Sequence, residues 1–168
     1  MLETSVNVIV TASDDGDKYY ITVLPTDVVF SKGMISECIL GVLHRALAAG
    51  ESITPDIFTV NPVFVKFLHE IIARYGAEDE GCQNEAKRLG TGWVYVLDGR
   101  TKTPRGTVPS QDILGAFEAK DGQLLPDRYR FSPNHKILTE DGFFRLSPKL
   151  YRLLLKELQL RLAQKREQ

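Results

Sequence analysis

The chain has 168 residues, 43% hydrophobic and 26% charged, and its 21 basic and 22 acidic side chains leave a formal charge of −1. These values suit a water-soluble domain with a substantial core, and they argue against a nucleic-acid binder, which needs a strongly basic surface. No apolar run approaches the ~20 residues of a membrane helix, and the acidic start, Met1-Leu2-Glu3, lacks the basic region of a secretory signal.

Val6, Val8 and Val10, followed by the apolar run 19–24, read as a β-hairpin across the polar connection 13–17. Asp14, Asp15 and Asp17 around Gly16 have the composition of a calcium loop but not its spacing. The twelfth position from Asp14, which an EF-hand fills with glutamate, is Pro25. A solvated acidic turn is expected instead. Val28-Val29-Phe30 reads as a short third strand or a buried linker. From Met34 the residues Ile35, Ile39, Val42, Leu43, Ala46 and Leu47 recur at helical spacing, which predicts a helix over 34–49 stopped by Gly50. Within it Gly41 would permit a close backbone crossing, and His44 would be a partly buried structural histidine.

The next helix has clear boundaries. Asn61 is a natural cap, Pro62 takes the first helical position, and Gly76 supplies a stop. Val63, Phe64, Phe67, Leu68, Ile71, Ile72 and Tyr75 form its apolar face, with Phe64, Phe67, Leu68, Ile71 and Ile72 predicted as core. His69-Glu70 begins like the zinc-protease H-E-x-x-H pattern, but the fifth position is Ala73, so the second metal ligand is missing. Residues 77–89 read as a weak helix ending at Gly90. The run 93–97 (WVYVL) is too short for a typical helix and suits a strand buried on both faces. It ends at the Asp98-Gly99 turn. Ile113, Leu114, Ala116, Phe117 and Ala119 make a second strand, closed by Asp121-Gly122.

Short strands are expected at 123–125 and 128–131 around Pro126-Asp127. A hairpin follows at 136–139 and 143–146 around Asp141-Gly142, and Ser147-Pro148 opens a long terminal helix. Helices gather early and strands late, which predicts an α+β fold. It would be a mainly antiparallel sheet of short strands packed with two or three helices and the C-terminal helix. One domain over 1–168 is expected, with 149–168 free to project as an interaction helix.

Phosphate-loop, dinucleotide, nucleophile-elbow and zinc-spacing motifs are all absent, so no cofactor and no metal is expected. Cys38 and Cys82 lie far apart, outside any C-x-x-C pattern, as reduced thiols of a cytoplasmic protein would. The best polar set is Asp98, Arg100, Asp112, Glu118, Asp127, Arg128, Asn134 and His135. It offers carboxylates for acid–base work, arginines that clamp anions, and a histidine. Asp98-Gly99-Arg100 serves equally well as a plain turn. The loop 101–107, with Lys102 and Arg105, is either an anion site or an exposed connection.

Two functional readings follow. The leading one is a non-catalytic cytoplasmic protein-interaction module whose expected partner is a protein, the chain itself being a candidate, with no membrane and with nucleic acid ranked last because only the basic tail and Arg128/Arg130 could serve it. Residues 149–168 carry six basic and two acidic side chains. Leu155, Leu160 and Leu162 would form the interface there, rimmed by cations such as Arg161. The alternative is a small hydrolase or phosphoryl-transfer enzyme using Asp98, Arg100, Glu118 and His135. The leading reading expects these four not to converge. A pocket shared by His135, a carboxylate and Arg100 would favour the enzyme.

Overall fold

The computed structural model describes residues 4–101 and 107–166. Its architecture is α+β, with mixed helices and antiparallel sheets. The first sheet takes its strands in chain order: β1 (Asn7–Thr11), β2 (Lys18–Thr22), β3 (Ile39–Leu43) and β4 (Phe58–Val60), every neighbour antiparallel. The turn between β1 and β2 closes through paired backbone bonds between Ser13 and Gly16, the latter at φ 110°. That backbone region is open mainly to glycine.

Two expectations fail in this half. Val28, Val29 and Phe30 lie in a short helix, α1 (Thr26–Lys32), started by the fixed φ of Pro25 in the preceding position. The helix expected over 34–49 does not form: Ser36–Cys38 make a single tight turn, β3 follows, and 44–49 are an irregular connection. In β3, Ile39, Leu40, Val42 and Leu43 satisfy helical spacing but equally a short apolar strand, and with Gly41 they give the five residues that suffice for one. Gly41 does serve a close crossing, between strands rather than helices. A Cβ there would run into the Thr59 carbonyl oxygen and the Phe58 ring of β4. His44 is exposed, and its Nε2 lies 2.6 Å from Thr59 Oγ1.

Helix α2 (Pro62–Tyr75) forms as its boundaries predict. Asn61 Oδ1 accepts from the Val63 N–H at 3.2 Å, and Asn61 Nδ2 donates to the Ser36 and Ile39 carbonyls at 2.9 and 2.8 Å. One side chain thus caps the helix and ties it to β3. Phe64, Phe67, Leu68, Ile71 and Ile72 are all buried, at 2% exposure or less. Gly76 keeps right-handed dihedrals, so the change of direction falls to Asp79, whose Oδ2 accepts from the Cys82 N–H at 2.9 Å and caps α3 (Glu80–Leu89).

The second sheet has the order β5 (Gly92–Leu97), β6 (Ile113–Lys120), β7 (Gln123–Phe131), so β5 and β7 are its edges. β5 is not buried on both faces as expected. Val94 and Val96 point into the core at 1% and 5% exposure, while Tyr95 between them is 59% exposed. β7 is one strand rather than two. It carries Pro126 because an edge strand need not donate from every N–H. A small hairpin, β8 (Leu138–Thr139) with β9 (Gly142–Phe143), precedes α4 (Pro148–Arg166). α4 lies along α2 rather than projecting: Leu150, Leu154, Leu158 and Leu162, one i,i+4 row, are buried. Side chains of both sheets, α2 and α4 join in one hydrophobic cluster. No helix among the described residues is long and apolar enough to cross a membrane.

Candidate functional site

The end of β5 starts the polar centre of the molecule. Asp98 N–H donates to the Asp112 carbonyl at 2.8 Å, and Gly99 N–H to the Arg145 carbonyl at 2.9 Å, which fixes the turn against two distant segments. Asp98 Oδ1 accepts from the backbone N–H groups of Arg100 and Arg145 at 3.1 and 2.9 Å. Its Oδ2 faces His135 Nε2 at 2.8 Å and Arg100 Nη2 at 3.1 Å. Because a carboxylate only accepts, His135 Nε2 carries the proton it gives Asp98, and its 3.4 Å approach to Arg100 Nη2, itself only a donor, is mere proximity.

Arg100 is enclosed. Nη1 donates to Thr139 Oγ1 (3.3 Å) and the Gly142 carbonyl (3.1 Å), and Nη2 to the carbonyls of Gln111 (3.0 Å) and Lys136 (2.7 Å). Nε stands 3.2 Å from Asp112 Oδ1, a charge contact without hydrogen-bond alignment, so both atoms stay buried without a hydrogen bond. Asp112 Oδ2 accepts from Thr101 Oγ1 at 2.7 Å. The side chains of Arg100 and Asp98 are 0% exposed, and those of Asp112 and His135 2%.

The expectation that Asp98, Arg100, Glu118 and His135 stay apart is therefore overturned for three of them. Asp98, Arg100 and His135 meet, joined by Asp112 from the same polar set. Glu118 lies elsewhere, on the outer face of the second sheet, paired with Arg128 at 2.8 Å. Asp127 and Asn134 are exposed. Convergence here does not form an open site. The guanidinium is spent on three backbone carbonyls, a hydroxyl and two carboxylates, and Asp98 on two backbone N–H groups, His135 and Arg100. Such a cluster clamps the β5 turn, the segment before β6, residues 135–136 and the β8–β9 hairpin together. A cleft of about 500 Å³ touches its outer side at Arg100, Thr101, Pro109, Asp112, Asp141 and Arg145. In the proposed anion loop, residues 102–106 lie outside the described residues, and Thr101 is engaged with Asp112.

The expected α4 interface is mostly used within the chain. Leu162 is 2% exposed in the core, where the i,i+4 row carries it, and Leu155 packs half-buried against that core. Arg161 lays its guanidinium 4.7 Å from the Phe67 ring centre and 3.1 Å from Glu70, so it seals the α2–α4 seam. Leu160 is the member that still faces solvent, at 46% exposure. The His69-Glu70 pair is likewise structural. Glu70 holds Arg161, and His69 Nδ1 lies 2.9 Å from Tyr129 Oη between α2 and β7. Burial holds the His69 imidazole down at about 4 and pushes the Tyr129 phenol up.

Sequence reasoning missed a larger concavity. A groove of about 880 Å³ runs between the free edge of β5 and α3, lined by residues 93–97 of the strand, Cys82, Glu85, Arg88 and Leu89 of the helix, and Leu150 at the start of α4. No described strand pairs with that edge of β5. The uncharged, proline-free GWVYVL segment is its signal, but one segment cannot tell an edge from a centre. Comparison of the chain with protein-family models, curated proteins and solved structures gives no match.

Proposed function

We propose that the chain is a non-catalytic protein-interaction module of the cytoplasm, and that it binds an extended segment of protein by strand addition at β5. The observation that carries this is the β5 edge. Six residues without charge or proline open onto a groove walled by α3. Edge strands usually carry lysine, proline or a cover that prevents pairing. Strand addition takes its affinity from main-chain hydrogen bonds and its specificity from alternate side chains, and Tyr95 and Trp93 offer such contacts on the outer face. Cys38 and Cys82 are buried free thiols, the state that cytoplasmic chemistry maintains.

A labelled peptide copying residues 91–99 tests the reading by fluorescence anisotropy. Wild-type protein and Phe30→Lys, altered at an exposed site on α1, bind it saturably, whereas Tyr95→Lys does not. A wild-type protein that is monomeric and ignores the peptide overturns the reading. The small hydrolase or phosphoryl-transfer alternative rests on the 2.8 Å contact between Asp98 and His135 beside Arg100. It requires that conservative changes there leave stability intact, since catalytic groups often cost stability rather than supply it.

A further inference from the structure

The groove beside β5 constrains its occupant more closely than strand addition alone does. Resting on that reading, we propose that the occupant is a second copy of this chain, paired antiparallel through β5 about a two-fold axis near Tyr95, so that the two three-stranded sheets become one. Trp93, Tyr95 and Leu97 share a face of β5, because alternate residues do. Antiparallel pairing about Tyr95 sets Tyr95 against the partner's Tyr95 and Trp93 against the partner's Leu97. On the inner face Val94 meets the partner's Val96. The 59% exposed Tyr95 ring and the partly exposed Trp93 and Leu97 thereby gain neighbours across the seam, as aromatic cross-strand pairs favour, while Arg130 keeps its place over the Trp93 ring at 4.9 Å.

Charge selects the same occupant. Among the charged residues lining the groove on α3, Glu85 and Arg88 pair with each other one turn apart. Both are surface side chains, at 44% and 71% exposure. Since Glu85 and Arg88 of α3 line the groove beside β5, the proposed two-fold brings α3 beside the partner's α3 running the opposite way. A Glu–Arg pair is self-complementary under that operation, Glu85 facing the partner's Arg88 and Arg88 the partner's Glu85. An isologous interface requires that property. A foreign strand gains nothing from it.

Sedimentation velocity over a dilution series, on the full chain, tests the proposal. Wild-type protein shows a species of twice the chain mass that dissociates on dilution. Tyr95→Lys, which sets like charges against each other at the axis, is a monomer at every concentration with an unchanged thermal melt. Glu85→Arg and Arg88→Glu are each monomeric alone and form a dimer when mixed, which a charge pair confined to one copy would not produce. A wild-type monomer at every concentration, or a dimer indifferent to all three changes, overturns self-pairing. In the first case, saturable binding of the 91–99 peptide leaves strand addition standing. Failure of the peptide as well removes both.

Discussion

Replacing Arg100 by methionine separates a structural clamp from a catalytic group. Methionine keeps much of the apolar stem but deletes every donor of a 0% exposed guanidinium. The carbonyls of Gly142, Gln111 and Lys136 lose their side-chain donors, and the carboxylates of Asp98 and Asp112 stay buried with the cation between them gone. Removing one partner of a buried ion pair costs about 3–5 kcal/mol, a large share of the 5–15 kcal/mol by which native domains are typically stable. Asp98→Asn is milder, because its remaining oxygen still accepts from the backbone N–H groups of Arg100 and Arg145. Its expected loss is about 1–3 kcal/mol. Glu118→Gln, in a surface pair whose Arg128 is exposed and whose Glu118 is half-buried, should change stability by less than about 0.5 kcal/mol. Urea denaturation with an unchanged m-value reads all three. Arg100→Met or Asp98→Asn at or above wild-type stability would refute the clamp and favour the enzyme.

Other expectations follow from the core and its titrating groups. Phe67→Ala removes a 1% exposed ring that also carries the Arg161 guanidinium, and should cost about 3–5 kcal/mol in the same denaturation assay. His69 is held neutral to about 4 by burial. Its contribution is intact above the unfolded imidazole value near 6.5 and is lost as pH falls from there towards 4, where the unfolded chain takes up a proton and the fold does not. Wild-type stability should drop by on the order of 2 kcal/mol across that window, and His69→Gln should flatten the drop. Burial raises the Cys38 thiol and, with Asp79 nearby, lifts Cys82 to about 12. Both should resist a disulfide reagent in the native state and react at once in denaturant.

Features set by nearby residues were legible in the sequence. Asn61-Pro62 marks the start of α2 because a cap side chain and a proline suit helix position by local chemistry alone, and the buried face of α2 follows from its period. The region 34–49 misled because Ile39, Leu40, Val42 and Leu43 fit both periods, and pairing of β3 with β2 and β4 decided between them. Leu162 shows the same limit on α4. Its spacing suits an interface as well as a core row, and its burial depends on α4 lying against α2. The polar cluster was out of reach for another reason. Its residue types could be named, but Asp98 meets His135 across 37 residues and Arg145 across 47, and no spacing rule carries that distance. Edge status is as hidden. GWVYVL reads as a fully buried strand until the order β5-β6-β7 leaves one side without a neighbour.

Amide hydrogen exchange across 92–97 tests the binding role of β5 most directly. In dilute protein the outward-facing amides of β5 lack partners in the described structure, and they should exchange rapidly. Raising the protein concentration, or adding the 91–99 peptide to dilute protein, should protect them, with no comparable change in α4 and none in Tyr95→Lys. Exchange at 92–97 that is indifferent to both, with protection arising on α4 around Leu160 instead, would contradict the assignment.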